Sequence, residues 1–294
     1  MDDVDATDDR HAFRFAPSPN GALHLGHALS ALQNDALARK SGGRLLVRIE
    51  DIDTMRCPRH LAIAALGDLA WLGLAWEEPV RYQSEHFADY RAAAAKLDAM
   101  DLLYPCFASR TEIAAAARPG EFDPDGAPLY PGIWLNASAA PIEERLARGE
   151  PFALRLDMAK ALAAAQARGS ARLTFTSMNE QGHIQITEAL PQRWGDVVLV
   201  RKDTPTSYHL SVVTDDALQG ITHVVRGLDL LAATDLHRLL QVLLDLPEPV
   251  YHHHRLLTDE SGRKLAKSAA DTSLAELRAQ GWTPADIRRK VEMV

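Results

Sequence analysis

The chain has 294 residues, of which 47% are hydrophobic and 24% charged, and its formal net charge is −8. This composition is typical of a globular protein of about two domains. The negative charge excludes a globally basic nucleic-acid-binding surface, so any RNA contact has to be local. No run approaches the roughly 18 apolar residues of a membrane-spanning helix, and two cysteines are too few for a disulfide framework.

The N-terminal segment, MDDVDATDDR, is acidic and has no apolar core. It predicts a disordered tail over residues 1–10 and argues against a signal or transit peptide. Together with the low cysteine content, this predicts a protein of the reducing cytoplasm that has no membrane partner.

The stretch from Arg14 to His27 reads RFAPSPNGALHLGH, in which a short strand is broken by two prolines and leads into a helix. Apolar residues at positions 25, 28, 29 and 32 mark one face of that helix. A sharp strand-to-helix turn presents backbone N–H groups and the positive end of a helix dipole. Because His24 and His27 bracket Gly26, the turn predicts a nucleotide site. The alternative is an ordinary turn with two surface histidines.

An alternation of helices and strands continues to about residue 100. The first helix ends near Lys40 at a Ser-Gly-Gly stop, and a strand follows over Arg44–Ile49. Glu50 follows that strand, where open parallel sheets bind ligands, although solvated loop carboxylates are the commoner interpretation of an acidic cluster. Helices are predicted over about 58–72 and 84–100. The βαβα rhythm predicts an α/β protein with a doubly wound parallel sheet.

The pattern changes between residues 105 and 194. Glycine and proline crowd residues 119–132, and an Ala-rich helical pattern follows. Two alternating segments then flank Asn179–Gly182, which predicts a hairpin. The whole segment predicts an inserted α+β subdomain between two halves of the sheet.

The α/β pattern resumes with strands in DVVLVRKD and ITHVVRG, a helix in YHLSVVTDDALQG, and a helix capped by Thr234. A loop, LTDESGRKLAKS, then carries three basic residues in five positions. Two short helices close the chain, the first beginning at a capping box of Ser273 with Glu276. The basic end of the last helix is either a phosphate contact or an ordinary solvated helix end.

The absence of three motifs argues against three kinds of site. The chain has no P-loop, no Rossmann GxGxxG fingerprint for a dinucleotide and no GxSxG nucleophile elbow. Adjacent side chains in a strand point to opposite faces, so the run His252–His254 does not predict a metal site. The strand–helix turn and the Lys-rich loop are two positively charged segments that together could bind a triphosphate. The loop alone is equally typical of a solvated charged surface.

These features resemble those of a known family. PSPNGALHLGH resembles the His-x-Gly-His signature of the class I aminoacyl-tRNA synthetases, and KLAKS (264–268) resembles their lysine-rich signature. The blocks RFAPSP, RIEDID, SYHLSVVTDD and HVVRGLD are similar, in order and spacing, to the glutamyl-tRNA synthetase branch over residues 11–290. Only 26 residues, 269–294, follow Ser268. We therefore expect no anticodon-binding domain, as in the shortened members of the branch, the glutamyl-queuosine tRNA(Asp) synthetases.

The resemblance implies a class I synthetase Rossmann-like fold with a short C-terminal helical segment. It implies a catalytic domain in two halves, over residues 11–104 and 195–250, with the inserted subdomain at 105–194. The signature loop and the C-terminal helices would occupy residues 251–294.

The resemblance also implies an activity and its residues. The family's shortened members activate L-glutamate with ATP and Mg²⁺, without tRNA, and transfer it to queuosine in the anticodon of tRNA(Asp). A glutamyl-tRNA synthetase acting on the 3′ end of tRNA(Glu), and a non-catalytic tRNA-binding module, are the alternatives. The family suggests a monomer. The glutamate pocket matches Arg14, Ala16, Ser18, Glu50, Tyr208 and Arg226, and the ATP contacts match His24, Gly26, His27, Lys264 and Lys267. Of these, His24, His27 and Lys267 match catalytic positions.

One departure from the family concerns zinc. The family often binds zinc in the insertion through a Cys-x-Cys pair, a tyrosine and a further cysteine. Here only Cys106 and Tyr130 match, with Ala108 and Trp134 at the other two positions. Two ligands are too few for a structural zinc site. We predict no zinc, and an insertion held by apolar packing of Phe107 and Trp134.

Overall fold

A computed structural model describes residues 10–170, 172–257 and 272–293 of the chain. The acidic tail, apart from Arg10, and the KLAKS loop with Lys264 and Lys267 lie outside the described residues. The strands are β1 (Ala12–Phe15), β2 (Arg44–Ile49), β3 (Glu77–Tyr82), β4 (Leu103–Cys106), β5 (Ala153–Leu156), β6 (Thr174–Met178), β7 (Ile184–Glu188), β8 (Val198–Val200), β9 (His223–Gly227) and β10 (Val250–His254). The α-helices are α1 (Leu25–Lys40), α2 (Arg59–Trp71), α3 (Phe87–Ala99), α4 (Arg110–Ala116), α5 (Ala139–Ala147), α6 (Met158–Ala167), α7 (Tyr208–Leu218), α8 (Ala233–Leu244), α9 (Leu274–Ala279) and α10 (Pro284–Lys290).

Seven of the described strands form one sheet in the order β3-β2-β1-β9-β10-β6-β7. Its strand pairs are parallel, except for the antiparallel pair of β6 with β7. The chain winds outward from β1 to β3 on one side and from β9 to β10 on the other. The predicted α/β class with a doubly wound parallel sheet is thereby confirmed. In such sheets, ligands bind beyond the carboxyl ends of the strands where the winding reverses, which here is between β1 and β9.

Side chains of the central strands alternate between two apolar layers. Phe13 and Phe15 pack in one hydrophobic cluster with α1, α2 and α10, whereas Ala12 and Leu46 pack in another with α3, α7 and α8. Because the side-chain period of a strand is two residues, Arg14 follows Ala12, and Arg48 follows Leu46, onto the α7 face. This alternation directs two arginines of the central strands toward the same helix.

The inserted segment contributes to two sheets. Strands β4, β5 and β8 form a small antiparallel sheet. The predicted hairpin around Asn179–Gly182 is present, but β6 pairs with β10, where Ser177 lies opposite Tyr251. The hairpin of the segment predicted as an inserted subdomain therefore extends the main sheet. The division into domains remains a proposal.

The start of α8 also differs from expectation. The residue before the helix is Ala232, which makes no side-chain capping bond, and Thr234 lies inside the first turn. The Thr234 hydroxyl instead accepts a hydrogen bond of 2.8 Å from Arg226. The predicted cap is wrong because a buried arginine takes the hydroxyl that would otherwise bond the helix backbone. Within the described ranges, no helix is both long and apolar enough to cross a membrane.

Candidate active site

A cavity of about 750 Å³ opens beyond the carboxyl ends of β1, β2 and β9, where the sheet winding reverses. Lys264 and Lys267 lie outside the described residues. The other predicted site residues all line this cavity: Arg14, Ala16, Ser18, His24, Gly26, His27, Glu50, Tyr208 and Arg226. The fold thus brings together side chains from well-separated blocks of the sequence.

The two histidines of the HLGH turn cap α1. His24 precedes the helix and its Nδ1 accepts a hydrogen bond of 3.0 Å from the Gly26 N–H, while His27 Nδ1 accepts one of 3.1 Å from the His24 N–H. Because both Nδ1 atoms accept, the neutral rings carry their protons on Nε2. A Cβ at position 26 would lie 2.9 Å from His24 Cε1, so glycine leaves room for the capping imidazole.

The described residues that follow the lysine-rich loop begin beside this turn. The Leu274 N–H donates to the Leu23 carbonyl at 2.8 Å, and Ser273 forms an isolated bridge with His24. The predicted capping box of Ser273 with Glu276 is present at the start of α9. The start of α9 therefore lies next to the first signature.

A buried network of charges supports one side of the cavity. Asp216 Oδ1 accepts from Arg14 Nε at 3.0 Å and from Arg48 Nη1 at 2.7 Å, and Arg48 Nη2 donates to Glu50 Oε1 at 3.2 Å. The Arg48 side chain is fully buried. Burial alone would raise the pKa of Asp216, but Arg14 and Arg48 hold it below its usual range. Burial raises the pKa of Glu50, although Arg48 and Arg14 oppose the shift.

Arg226, on the other side of the cavity, has neutral partners. It is 4% exposed, and it donates to Thr234 Oγ1 at 2.8 Å, His237 Nδ1 at 3.2 Å, His253 Nε2 at 3.3 Å and the Tyr208 hydroxyl at 3.4 Å. Burial, followed by the positive charge of Arg226, lowers the pKa of His237 well below its usual range and that of His253 to about 3. Both imidazoles are therefore neutral acceptors at neutral pH.

The remnant of the family's zinc site is a hydrogen-bonded, aromatic cluster. Cys106 Sγ lies 3.4 Å from the Tyr130 hydroxyl, and the Arg155 guanidinium lies 3.8 Å from the centroid of the Tyr130 ring. The predicted packing of Phe107 with Trp134 is confirmed by an edge contact with centroids 4.9 Å apart. A thiol and a phenol beside a fixed positive charge do not supply the ligand set that zinc needs.

The run His252–His254 lies in β10. His253 contacts Arg226, whereas His252 Nδ1 bonds the Met178 carbonyl and His254 Nδ1 bonds the Arg255 carbonyl. Adjacent residues of the run thus serve different sides of the sheet. In the described part of the chain, no group of three His, Cys, Asp or Glu side chains is arranged to hold a metal ion.

Sequence reasoning missed the residues that hold the pocket arginines and Glu50. Arg48 lies in the block RIEDID and Asp216 in the block SYHLSVVTDD. The available signal for both was a charged residue at a position where the periodicity of the strand or helix predicts a buried side chain. His237, which is buried in α8, gave a weaker signal of the same kind. Their partners are distant in sequence, which is why pattern alone did not connect them.

Comparison with known proteins supports the same assignment as the residues. The model of a family described as class I tRNA synthetases (E and Q), catalytic domain, matches residues 12–293. The chain belongs to this synthetase family. As a member, it is a ligase of the aminoacyl-tRNA synthetase type, as predicted.

Relatives of this synthetase include its shorter form. The glutamyl-Q tRNA(Asp) synthetase of Rhodobacter capsulatus is 44% identical over 282 residues, which are 95% of this chain and 98% of that relative. The protein of the same name from Nocardia farcinica is 38% identical, over 98% of this chain and 85% of its own length. These relatives confirm the resemblance to the shortened members of the branch.

A solved structure confirms the fold of the synthetase. The glutamate-tRNA synthetase of Elizabethkingia anophelis superposes with a TM-score of 0.75 at 23% sequence identity. The match covers 97% of this chain but only 61% of that longer chain. At this identity the likeness concerns the fold alone, and it agrees with the parallel sheet and its flanking helices.

Proposed function

We propose that this synthetase activates L-glutamate with ATP, in the absence of tRNA, and transfers the glutamyl group to queuosine in the anticodon of tRNA(Asp). The relatives that share its length carry the name glutamyl-Q tRNA(Asp) synthetase. The observation that carries the amino-acid half of the proposal is a cavity whose lining includes two buried arginines, Arg14 and Arg226, and one buried glutamate, Glu50. Glutamate offers two carboxylates and one ammonium, which are the complementary charges.

Glu50 would accept the substrate ammonium, because a carboxylate is the acceptor that a cationic amine needs. Arg14, Arg226 and the Tyr208 hydroxyl would hold the carboxylates, with the backbone around Ala16 and Ser18 shaping the pocket. The positive charge of a guanidinium favours a carboxylate and gains less from the neutral side chain of glutamine. The pocket would therefore select glutamate over its amide.

The HLGH turn would bind ATP. The N-terminus of α1 and the Nε2–H donors of His24 and His27 suit phosphate oxygens, and Gly26 lets the nucleotide approach the backbone. Lys264 and Lys267 would add positive charge, with Lys267 stabilising the α-phosphate in the transition state. Mg²⁺ would be held mainly by the ATP phosphates, since the described residues contain no ready-made cluster for a metal ion.

Two steps follow from this arrangement. A carboxylate oxygen of glutamate attacks the α-phosphorus in line, the bond to the bridging oxygen breaks, and pyrophosphate leaves. A hydroxyl of the queuosine cyclopentene ring then attacks the carbonyl carbon of the adenylate, losing its proton, and AMP leaves. No side chain acts as a nucleophile, so the protein contributes positioning and charge stabilisation.

Glutamate-dependent exchange of labelled pyrophosphate into ATP, without tRNA, tests the first step. We expect exchange with glutamate and little with glutamine. Arg226→Ala should abolish exchange while ATP still binds, as measured by calorimetry. An unchanged kcat/KM for glutamate in this variant would show that Arg226 has another role, and a wild-type protein without any exchange would favour a non-catalytic tRNA-binding module.

The second candidate function is the charging of the 3′ end of tRNA(Glu). One relative named glutamate–tRNA ligase 2, that of Alkalilimnicola ehrlichii, is 35% identical to this chain, although the chain covers only 56% of that protein. An experiment that transfers labelled glutamate to tRNA and maps the acylated nucleotide by nuclease digestion distinguishes the two functions. Label on the anticodon fragment of tRNA(Asp), absent when the tRNA lacks queuosine, supports the proposal. Label on the 3′ terminal nucleotide of tRNA(Glu) supports the rival.

We further propose that the synthetase acts as a monomer in the cytoplasm. The proposal follows from the family and from the low cysteine content. Sedimentation equilibrium of the full chain should return the mass of a single chain.

A further inference from the structure

The two buried arginines that line the cavity, Arg14 and Arg226, differ in their counter-charges. Arg14 forms an ion pair with Asp216 at 3.0 Å, and both side chains are buried. Arg226 is equally buried, yet no carboxylate of the described residues lies within ion-pair distance of it. A buried charge without a counter-charge is unfavourable, so such an arrangement is retained where a charged ligand completes it.

The partners of Arg226 satisfy its hydrogen bonds without neutralising it. Four of its five N–H groups donate to Thr234, His237, His253 and Tyr208. These acceptors come from α8, β10 and the start of α7, so the guanidinium is held from three directions. The planar group is thereby fixed in orientation before any ligand arrives.

The proton positions follow from the fact that a guanidinium can only donate. His237 Nδ1 accepts from Arg226, so His237 carries its proton on Nε2 and donates it to His209 Nδ1 at 3.2 Å. Thr234 Oγ1 accepts from Arg226 and lies 3.2 Å from His253 Nε2, whose single lone pair is shared between the Thr234 hydroxyl and Arg226 Nε. Each member of the cluster therefore has a defined role, and none of them carries a negative charge.

We infer that His237, His253 and Thr234 are positioning residues that hold Arg226 with neutral acceptors only, so that its charge remains available for the side-chain carboxylate of the amino-acid substrate. The inference rests on the proposed function, because it names the group that Arg226 receives. It adds the residues that set the strength of that recognition.

The neutral state of the imidazoles is built into their surroundings. Burial lowers the pKa of His209 to about 4, with Arg226 adding to the shift. Burial is also the main cause of the lowered pKa of His237, to which Arg226, His209, Arg14 and His253 add, and none of these groups is acidic. Protonation of these rings would bury a charge and would place it beside Arg226; burial first, and repulsion second, therefore lower their pKa and keep them neutral.

Selectivity for glutamate over glutamine follows from the uncompensated charge. A carboxylate near Arg226 would compete with the substrate for the same N–H donors and would cancel the field that favours an anionic ligand. Glutamine would lose less, because its side-chain amide carries no charge. Introducing an acid next to Arg226 should therefore weaken glutamate binding and reduce the preference for glutamate.

The variants His237→Asp and His237→Asn test this, because they share shape and differ in charge. In pyrophosphate exchange, we expect H237N to raise the KM for glutamate by less than about 10-fold, the range of a neutral hydrogen bond. H237D should raise it by about 10- to 100-fold beyond H237N, the range of a hydrogen bond to a charged group. The KM for ATP should stay unchanged in both, and the glutamate-to-glutamine preference should fall only in H237D. Equal effects of the two variants would overturn the inference.

A second pair adds no charge, and it decides the question if H237D does not fold. Thr234→Val removes the hydroxyl and Thr234→Ser keeps it. We expect T234V to raise the KM for glutamate with little change in kcat. We expect T234S to have the KM for glutamate of the wild-type protein. The inference fails if the two variants have the same KM for glutamate.

The proposed function can fail separately. If the wild-type protein shows no glutamate-dependent exchange, the activity is wrong, and the inference is then judged by glutamate binding in calorimetry. Weaker binding of glutamate to T234V than to T234S supports it, and equal binding overturns it.

Discussion

Asp216 links Arg14 to Arg48 in the buried charge network. Its replacement by asparagine is the most informative perturbation of the pocket. Its Oδ1 accepts from Arg14 Nε and Arg48 Nη1, and its Oδ2 accepts from Arg14 Nη2 at 3.5 Å. Asp216→Asn keeps the shape of the side chain but removes the negative charge and places N–H donors against guanidinium donors. Arg14 and Arg48 would then compete for Glu50.

The magnitude follows from the burial of the three groups. Removing one partner of a buried ion pair costs about 3–5 kcal/mol, because the remaining charges stay desolvated. For a chain of this size, that loss lowers Tm by about 5–15 °C. The KM for glutamate should rise by about 10-fold or more, since Arg14 loses the group that orients it at the cavity wall.

Thermal unfolding and pyrophosphate exchange together measure both effects, with Asp215→Asn as the control. Asp215 is also buried, accepts from Arg81, Gln83 and Tyr90 and lies 3.7 Å from Arg48 Nε, but it does not line the cavity or contact Arg14. Both variants should lose stability, and only D216N should show the full rise in the KM for glutamate. A D216N protein with wild-type Tm and wild-type KM would refute the reasoning.

The pH dependence of the same variant has a defined sign. The folded pKa of Asp216 lies below its unfolded value, so its stabilising contribution is present above the unfolded pKa and is lost as pH falls through the folded one. The difference in unfolding free energy between wild type and D216N should therefore be constant above about pH 5 and shrink below about pH 4. A difference that grows on acidification would contradict the assignment.

Three further predictions follow from the site. Since burial raises the pKa of Glu50, kcat/KM for glutamate should fall on the acid side with an apparent pKa above that of an ordinary glutamate side chain, and Glu50→Gln should remove that limb. Gly26→Ala should displace His24, lower helix stability by about 1 kcal/mol and raise the KM for ATP, whereas Gly67→Ala, which meets open space within α2, should not. Protein purified without added metal should contain no stoichiometric zinc by plasma emission spectrometry, and a one-to-one content would show that Cys106 and Tyr130 have further ligands.

Much of the candidate site could be predicted because the family blocks each carry a local structural signal. The HLGH turn has a proline break, a turn and a helical period within a few residues, and Glu50 directly follows the strand RLLVRI. The capping box at Ser273 is likewise decided over four residues. These features depend on neighbours in the sequence, so a pattern is sufficient to find them.

The failures have a common physical cause. Thr234 has the residue type and position of a helix cap, but Arg226 of β9 takes its hydroxyl. The hairpin β6–β7 was predicted from its turn, but its pairing with β10 depends on a strand from a distant part of the chain, which no local pattern shows. In both places a local preference worth about 1 kcal/mol is overridden by burial and by long-range pairing.

The sequence by itself determined the α/β class, the family and the residues that surround the cavity, because periodicity and short motifs are local properties of the chain. Only the tertiary structure decided how the charges of the two arginines are balanced. Arg14 meets Asp216 across the sheet face, while Arg226 meets His237, His253 and Thr234 from other elements. Whether a buried arginine is compensated depends on which distant groups the fold packs against it. A local sequence pattern was sufficient to predict the His-x-Gly-His turn, but it did not show which side chains surround Arg226.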